Sequence, residues 1–154
     1  MNTLIVFGAK YLFLVIPVIN LWVWWQLPKE RRLSFAVQVI SAGVLALILA
    51  KVSGHFISSP RPYIAQHLTP LIAASTDNGF PSDHTLLSAT LALLVFMVRR
   101  PIGAVLLVLA LCVGVTRVLA LVHSPIDIVG SFGIALVAVL LSSLIASQRN
   151  QREK

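Results

Sequence analysis

Five apolar stretches, residues 11–27, 33–50, 81–98, 101–122 and 125–147, each come close to the roughly 20 residues that carry an α-helix across a bilayer. No water is available in hydrocarbon to pair backbone N–H and C=O groups, so runs of this kind are confined to helices. Composition agrees. Hydrophobic residues make up 58% of the chain, charged residues 11%, and mean hydropathy is +0.93; a soluble domain carries about 25% charged residues. The expected fold is all-α, an integral membrane helical bundle of about five transmembrane helices, in a single domain covering 1–154. The first run lacks a small-residue cleavage site before Pro28 and reads as a permanent helix. Very short connections at 28–32 and 99–100 make helices one and two, and three and four, antiparallel neighbours.

Most of the 12 Lys and Arg residues fall in three clusters: Lys29, Arg31 and Arg32; Arg99 and Arg100; Arg149, Arg152 and Lys154. Five spans put all three on one face, which the positive-inside rule makes cytoplasmic. The segment 51–80 and the turn 117–124 then share the outer face. Lys51, Arg61 and Arg117 lie there against the orientation rule, as they would if a bound anion held them. The segment 51–80 mixes apolar and polar residues and is expected to be a partly helical interfacial cap. The net charge of +7 and pI near 10.6 are accounted for by topology signals and this outer triad. No basic stripe with interleaved aromatics points to nucleic acid.

Other residues read more plainly. Trp22, Trp24 and Trp25 are expected to anchor the first helix at the interface, Lys10 to snorkel outward, Cys112 to pack, His55 and His67 to be loop residues, and Asp77–Asn78–Gly79 to form a turn.

Three polar clusters interrupt the apolar chain: Lys51 with Pro60-Arg61-Pro62, Pro81-Ser82-Asp83-His84, and Thr116-Arg117 followed by His123 and Asp127. Breaking a phosphate ester or anhydride needs cations on the oxygens, an in-line nucleophile and a proton for the leaving group. Arg61 and Arg117 offer planar forks for phosphate, and Lys51 a point charge. Asp127, four residues after His123, can fix the imidazole tautomer, and His84 is a spare acid and base. Ser82 can cap the third span and Ser124 the fifth, with Asp127 then the third helical residue, so two helix N-termini would offer N–H groups to an anion. No two-metal carboxylate cluster can be built from the five acidic residues.

These motifs resemble the membrane-bound type-2 phosphatidic acid phosphatase superfamily, whose pattern is K-x6-RP, PSGH and SR-x5-H-x3-D. Arg61-Pro62 matches the first, Pro81 to His84 the second with Asp83 in place of glycine, and Thr116-Arg117, His123 and Asp127 the third with threonine for serine. Lys51 stands further upstream of Arg61 than the family lysine. The resemblance implies a metal-independent phosphatase without cofactor: His123 the nucleophile that becomes phosphohistidine, Asp127 its orienting partner, His84 the acid and base, and Lys51, Arg61, Ser82, Asp83 and Arg117 the phosphate ligands. The lysine spacing, S-P-R-P-Y and PSDH are most similar to the undecaprenyl-diphosphatase branch, which includes bacitracin-resistance proteins. That branch implies a polyprenyl diphosphate cleaved at the outer leaflet of a bacterial cytoplasmic membrane. The motifs describe the phosphate and not the tail, so phosphatidic acid, phosphatidylglycerol phosphate or lipid A, and phosphoryl transfer in place of hydrolysis, stay open. A small transporter or channel subunit is the non-enzyme reading, and it would distribute charges through the spans.

Overall fold

A computed structural model describes residues 2–152, with side chains through residue 146. Helix α1 (Asn2–Tyr11) runs through a 3-10 turn (Leu12–Leu14) into α2 (Val15–Gln26), and the whole length is one apolar span. The 3-10 turn lies just ahead of Pro17, which has no N–H to bond the Phe13 carbonyl. This span starts well before the expected residue 11, because the segment before Lys10 is itself apolar and helical.

Helix α3 (Lys29–Phe56) also outruns its apolar core and takes Lys51 and His55 into its last turns. His55 is therefore helical and not in a loop, and the outer connection begins only at Ile57. That connection contains one helical turn, α4 (Pro62–Ala65), and otherwise irregular backbone. Helices α5 (Asp83–Val98), α6 (Arg100–Leu119) and α7 (Pro125–Arg152) complete the chain. Among the described residues four helices are long and apolar enough to cross a membrane: Asn2–Gln26, Lys29–Phe56, Arg100–Leu119 and Pro125–Ala146. The expected all-α membrane bundle is borne out, with the 16-residue α5 standing where the third full-length span was expected.

The placement of α5 follows from its small residues. Ser88, Ala89, Thr90 and Ala92 are buried, as are Leu86, Leu91, Leu94 and Val95, so the helix is enclosed on nearly every side. Without a hydrophobic drive between helices in lipid, close backbone approach through small side chains is what holds such a bundle. Leu91, Leu94 and Val95 meet Ile16, Val23, Phe35 and Leu106 in one apolar cluster, and Leu86 and Ala89 meet Ala46, Ala135 and Ala138 in another. The outward faces of α2, α3, α6 and α7 carry exposed apolar side chains such as Val18, Leu47, Val108 and Leu140. Cys112 lies on such an exposed face of α6 and not in the packing.

Helix polarity sets the two ends apart. Arg99 and Arg100 sit at the turn between α5 and α6, while Asp83 and Arg117 lie at the far ends of the same two helices. Lys29 and Arg31 begin α3, and Arg32 clamps the tight turn before it. Its Nε donates to the Leu27 carbonyl at 3.0 Å, and its guanidinium lies over Trp24 and Trp25 at 5.9 and 5.3 Å. The side chains of Arg149, Arg152 and Lys154 lie outside the described residues.

At the opposite end the expected turn at residues 77–79 is a bend at 76–77 followed by irregular backbone, and Asn78 acts as a staple. Its Nδ2 donates to the carbonyls of Gly54 and Ile57, both at 2.8 Å, and its Oδ1 accepts from the N–H groups of Ser59 at 2.9 Å and Phe80 at 3.2 Å. One amide thus ties the end of α3 to both ends of the outer connection. At a net value of about 1 kcal/mol per bond, Asn78→Ala should lower stability by about 2–4 kcal/mol. Thermal unfolding of the detergent-solubilised protein measures it, and an unchanged midpoint would refute the staple.

Candidate active site

The end of α6 determines where His123 goes. Leu121 adopts a left-handed φ of 65°, its N–H bonds the Val118 carbonyl at 2.9 Å, and the Val122 N–H bonds the Arg117 carbonyl at 3.2 Å. This is a Schellman ending with leucine where glycine is usual. It folds the chain back so that His123, six residues after Arg117 in sequence, returns beside it. Helix α7 then begins at Pro125, a residue pre-set for the first helical position. Asp127, in its first turn, accepts the Ser124 N–H through Oδ2 at 2.8 Å. The Asp127 carboxylate thus reaches back to the residue that precedes α7, as in a capping box.

His123 is buried at 3% exposure and contacted on both ring nitrogens. Nδ1 lies 2.9 Å from the Gly79 carbonyl and 3.3 Å from Asp127 Oδ2, and Nε2 lies 3.4 Å from Nη2 of Arg117. A guanidinium can only donate, so Nε2 must accept. The neutral ring therefore carries its proton on Nδ1, shared between the Gly79 carbonyl and Asp127, and keeps its lone pair on Nε2. Gly79 is a positioning residue that sequence reasoning had placed in a turn and nothing more. Its lack of a side chain is required: a Cβ there would stand 2.9 Å from the Ser59 carbonyl oxygen and 3.0 Å from Asp127 Oδ2.

Arg61 sits between two prolines in extended backbone, as a residue before proline must. Its side chain is buried. Nε donates to the Asp77 carbonyl at 3.3 Å, Nη1 to the Val122 carbonyl at 2.9 Å, and Nη2 to Ser75 Oγ at 3.2 Å and Asp77 Oδ1 at 2.7 Å. With most of its N–H groups so engaged, Arg61 brings charge to the site but not the free fork that its sequence context had implied. The Ser75 hydroxyl and Arg61 hold the Asp77 carboxyl below its ordinary range. A carboxyl shifted in this direction stabilises above its unfolded pKa and loses that contribution only as pH falls through the lowered value. The clamp is therefore intact at neutral pH. Arg117 is freer: Nη1 donates to the Ala9 carbonyl at 3.2 Å, and Nε is buried with no hydrogen-bond partner among the described residues.

Arg61, Arg117, His123, Asp83 and His84 line one cavity of about 360 Å³, roofed by residues 72–75 of the outer connection. His84 is half-buried, its ring edge-on to Phe13 with centroids 4.4 Å apart. Ser82 stands behind the wall, fully buried; its N–H donates to Ser131 Oγ, whose hydroxyl donates to the Asp127 carbonyl at 2.7 Å. Ser82 occupies the N-cap of α5 without a side-chain cap bond. Thr116 turns its hydroxyl to the Val113 carbonyl of its own helix. Lys51 is exposed on α3 and does not line the cavity, whereas Lys10, read from sequence as a snorkelling residue, does. An apolar groove of about 300 Å³ between α3 and α5, walled by Gly43, Leu47, Leu87 and Leu91, shares Asp83 with the cavity.

The sequence pattern of the PAP2 superfamily matches residues 35–151. The chain belongs to the PAP2 superfamily. It is 32% identical to the bacitracin transport permease protein BcrC of Bacillus licheniformis over 91% of this chain and 68% of that relative. The undecaprenyl-diphosphatase BcrC of Bacillus subtilis is 26% identical over 89% of this chain and 70% of its own length. An undecaprenyl-diphosphatase of Sulfolobus acidocaldarius is 28% identical over 86% and 64%. No solved structure matches the chain. The expected superfamily and its undecaprenyl-diphosphatase branch are borne out by these relatives, and the chain is a multi-pass membrane phosphatase.

Within this PAP2 site the two acceptors on His123 Nδ1 predict unequal losses. His123→Ala should abolish turnover, by roughly 10⁴-fold or more, whereas Asp127→Ala should be roughly 10- to 100-fold milder because the Gly79 carbonyl still holds the tautomer. Steady-state rates of phosphate release decide it; equal losses would show that the carbonyl contributes nothing.

Proposed function

We propose that the protein hydrolyses a polyprenyl diphosphate, undecaprenyl diphosphate above all, to the monophosphate and orthophosphate at the outer leaflet of a bacterial cytoplasmic membrane. The observation that carries this reading is the sharing of Asp83 by a cationic cavity and an apolar groove, one suited to the phosphate and the other to the tail. The names of two relatives, both undecaprenyl-diphosphatases, support the same substrate. The outward orientation rests on the separation of the cavity from Lys29, Arg31, Arg99 and Arg100 by the length of the helices.

In the proposed reaction the Nε2 lone pair of His123 attacks the terminal phosphorus while Arg117 and Arg61 offset charge on its oxygens. The Nε2–P bond forms as the P–O bond to the lipid phosphate breaks, and His84 gives that oxygen a proton. The Gly79 carbonyl and Asp127 stabilise the positive charge gained by the ring through its Nδ1–H. Water, deprotonated by His84, then attacks the phosphohistidine; its oxygen bonds to phosphorus as the N–P bond breaks, and orthophosphate leaves. His123, His84, Asp127, Arg61 and Arg117 thus take the roles that the motifs imply, with Asp83 at the junction of cavity and groove. Ser82 acts through packing with Ser131. Charges gathered at the helix ends, and not spread along the spans, speak against a conducting path through them.

Phosphate release from long-chain polyprenyl diphosphate by the purified protein, with chelator present, is the direct test; activity lost only on chelation would refute a metal-free route. The groove makes a second prediction. A Cβ on Gly43 would meet nothing within 4 Å, and the same is true of Gly133 on α7. Gly43→Leu should raise KM for a long-chain diphosphate roughly tenfold with kcat little changed, leave a short-chain diphosphate unaffected, and differ from the Gly133→Leu control. Equal behaviour of both variants on both substrates would rule out the groove.

A further inference from the structure

The cavity holds a lysine that the proposed reaction leaves without a task. Lys10 belongs to α1, outside the stretch 35–151 that carries the superfamily pattern, yet it lines the cavity beside Arg61, Arg117 and His123. Its place there is built by packing. The preceding residue, Ala9, is fully buried against the cluster of Ile72, Ala120 and Val122, and its carbonyl accepts Arg117 Nη1 at 3.2 Å. One residue earlier, Gly8 brings α1 so close to α6 that a Cβ would stand 2.6 Å from Thr116 Cγ2. The backbone from Gly8 to Ala9 is thus held against the site itself, and Lys10 follows directly.

Electrostatics indicates what such a cation serves. Arg61 is paired with Asp77 at 2.7 Å, Asp83 also lines the cavity, and the buried Asp127 carboxylate stands 3.3 Å from His123, so two guanidinium charges face three carboxylates. Lys10 is the further cation in the cavity lining. A phosphate monoester brings about −1.5 to −2, and a diphosphate monoester brings a second anionic group that the two guanidinium groups, already offset, do not balance. Space permits it. The cavity is about 360 Å³.

The geometry points to Lys10 as the ligand of the second phosphate of a diphosphate ester, the phosphate that stays on the lipid when His123 takes the terminal one. This inference deepens the diphosphatase reading and rests on it for the identity of the substrate. An ammonium on a flexible stem, with three donors and no fixed fork, suits the oxygens of a group that must be released after bond cleavage. It makes Lys10 a specificity residue, selecting diphosphate over monophosphate.

The test uses the full chain in detergent with two probes, orthophosphate and the nonhydrolysable methylene diphosphonate, and two variants. Lys10→Met keeps the apolar stem, and Lys10→Arg keeps the charge. Lys10→Met should weaken diphosphonate binding roughly tenfold and orthophosphate binding less than about twofold, with Lys10→Arg recovering most of the loss. In turnover, kcat/KM on prenyl diphosphate should fall in Lys10→Met and recover in Lys10→Arg. Loss on both probes alike, or on neither, overturns the assignment. The binding arm needs no catalysis, so the two readings fail separately. Lys10-dependent diphosphonate binding without phosphate release would sink the diphosphatase reading alone, and turnover indifferent to Lys10 would sink only this one.

Discussion

The imidazole of His123 is where four separate parts of the chain are forced to agree. Its Nδ1 meets the carbonyl of Gly79 from the outer connection and the carboxylate of Asp127 from α7, and its Nε2 meets Arg117 from α6, which in turn holds the Ala9 carbonyl of α1. A buried ring of this kind is costly unless its polar atoms are paired. Pairing it fixes which nitrogen bears the proton, and so which nitrogen is available to attack. Structure and chemistry are here the same constraint.

Two kinds of arginine follow from that arrangement. Arg61 is a strut: it binds the outer connection at Asp77 and Ser75 to the turn at Val122, and so holds the roof over the cavity. Arg117 has only two long contacts, and its Nε faces no partner among the described residues, which leaves its fork the better ligand for an anion. In a membrane bundle the outer connection would otherwise be the least constrained part. Asn78 and Arg61 tie it down beside the cavity, and Ile72 packs it on Ala9 and Val122.

Two lysines near the outer connection are placed differently by their helices. The spacing of Lys51 to Arg61 departs from the family pattern, and α3 continues past Lys51 in a regular helix that leaves it exposed. Lys10 reaches the cavity from α1 instead, because Gly8 and Ala9 let that helix approach α6. A cation needs only to be within reach of the phosphate, since an ammonium acts as a point charge without directional demands.

Much of the protein was legible in its residues. Apolar run lengths determine a helical membrane bundle, because hydrocarbon admits no unpaired backbone, and the spacing of Arg117, His123 and Asp127 shows which residues belong together. Helix ends were less legible: α1 takes in a further apolar segment ahead of Lys10, and α3 runs past its apolar core, since polar residues near the interface cost a helix little. Tertiary structure alone decided that Gly79 and not only Asp127 orients the imidazole, that Arg61 is mostly engaged, and that Lys10 and Phe13 face the site. These depend on distances between segments far apart in the chain, and a one-dimensional pattern carries no information about which backbone carbonyl will arrive beside a given ring.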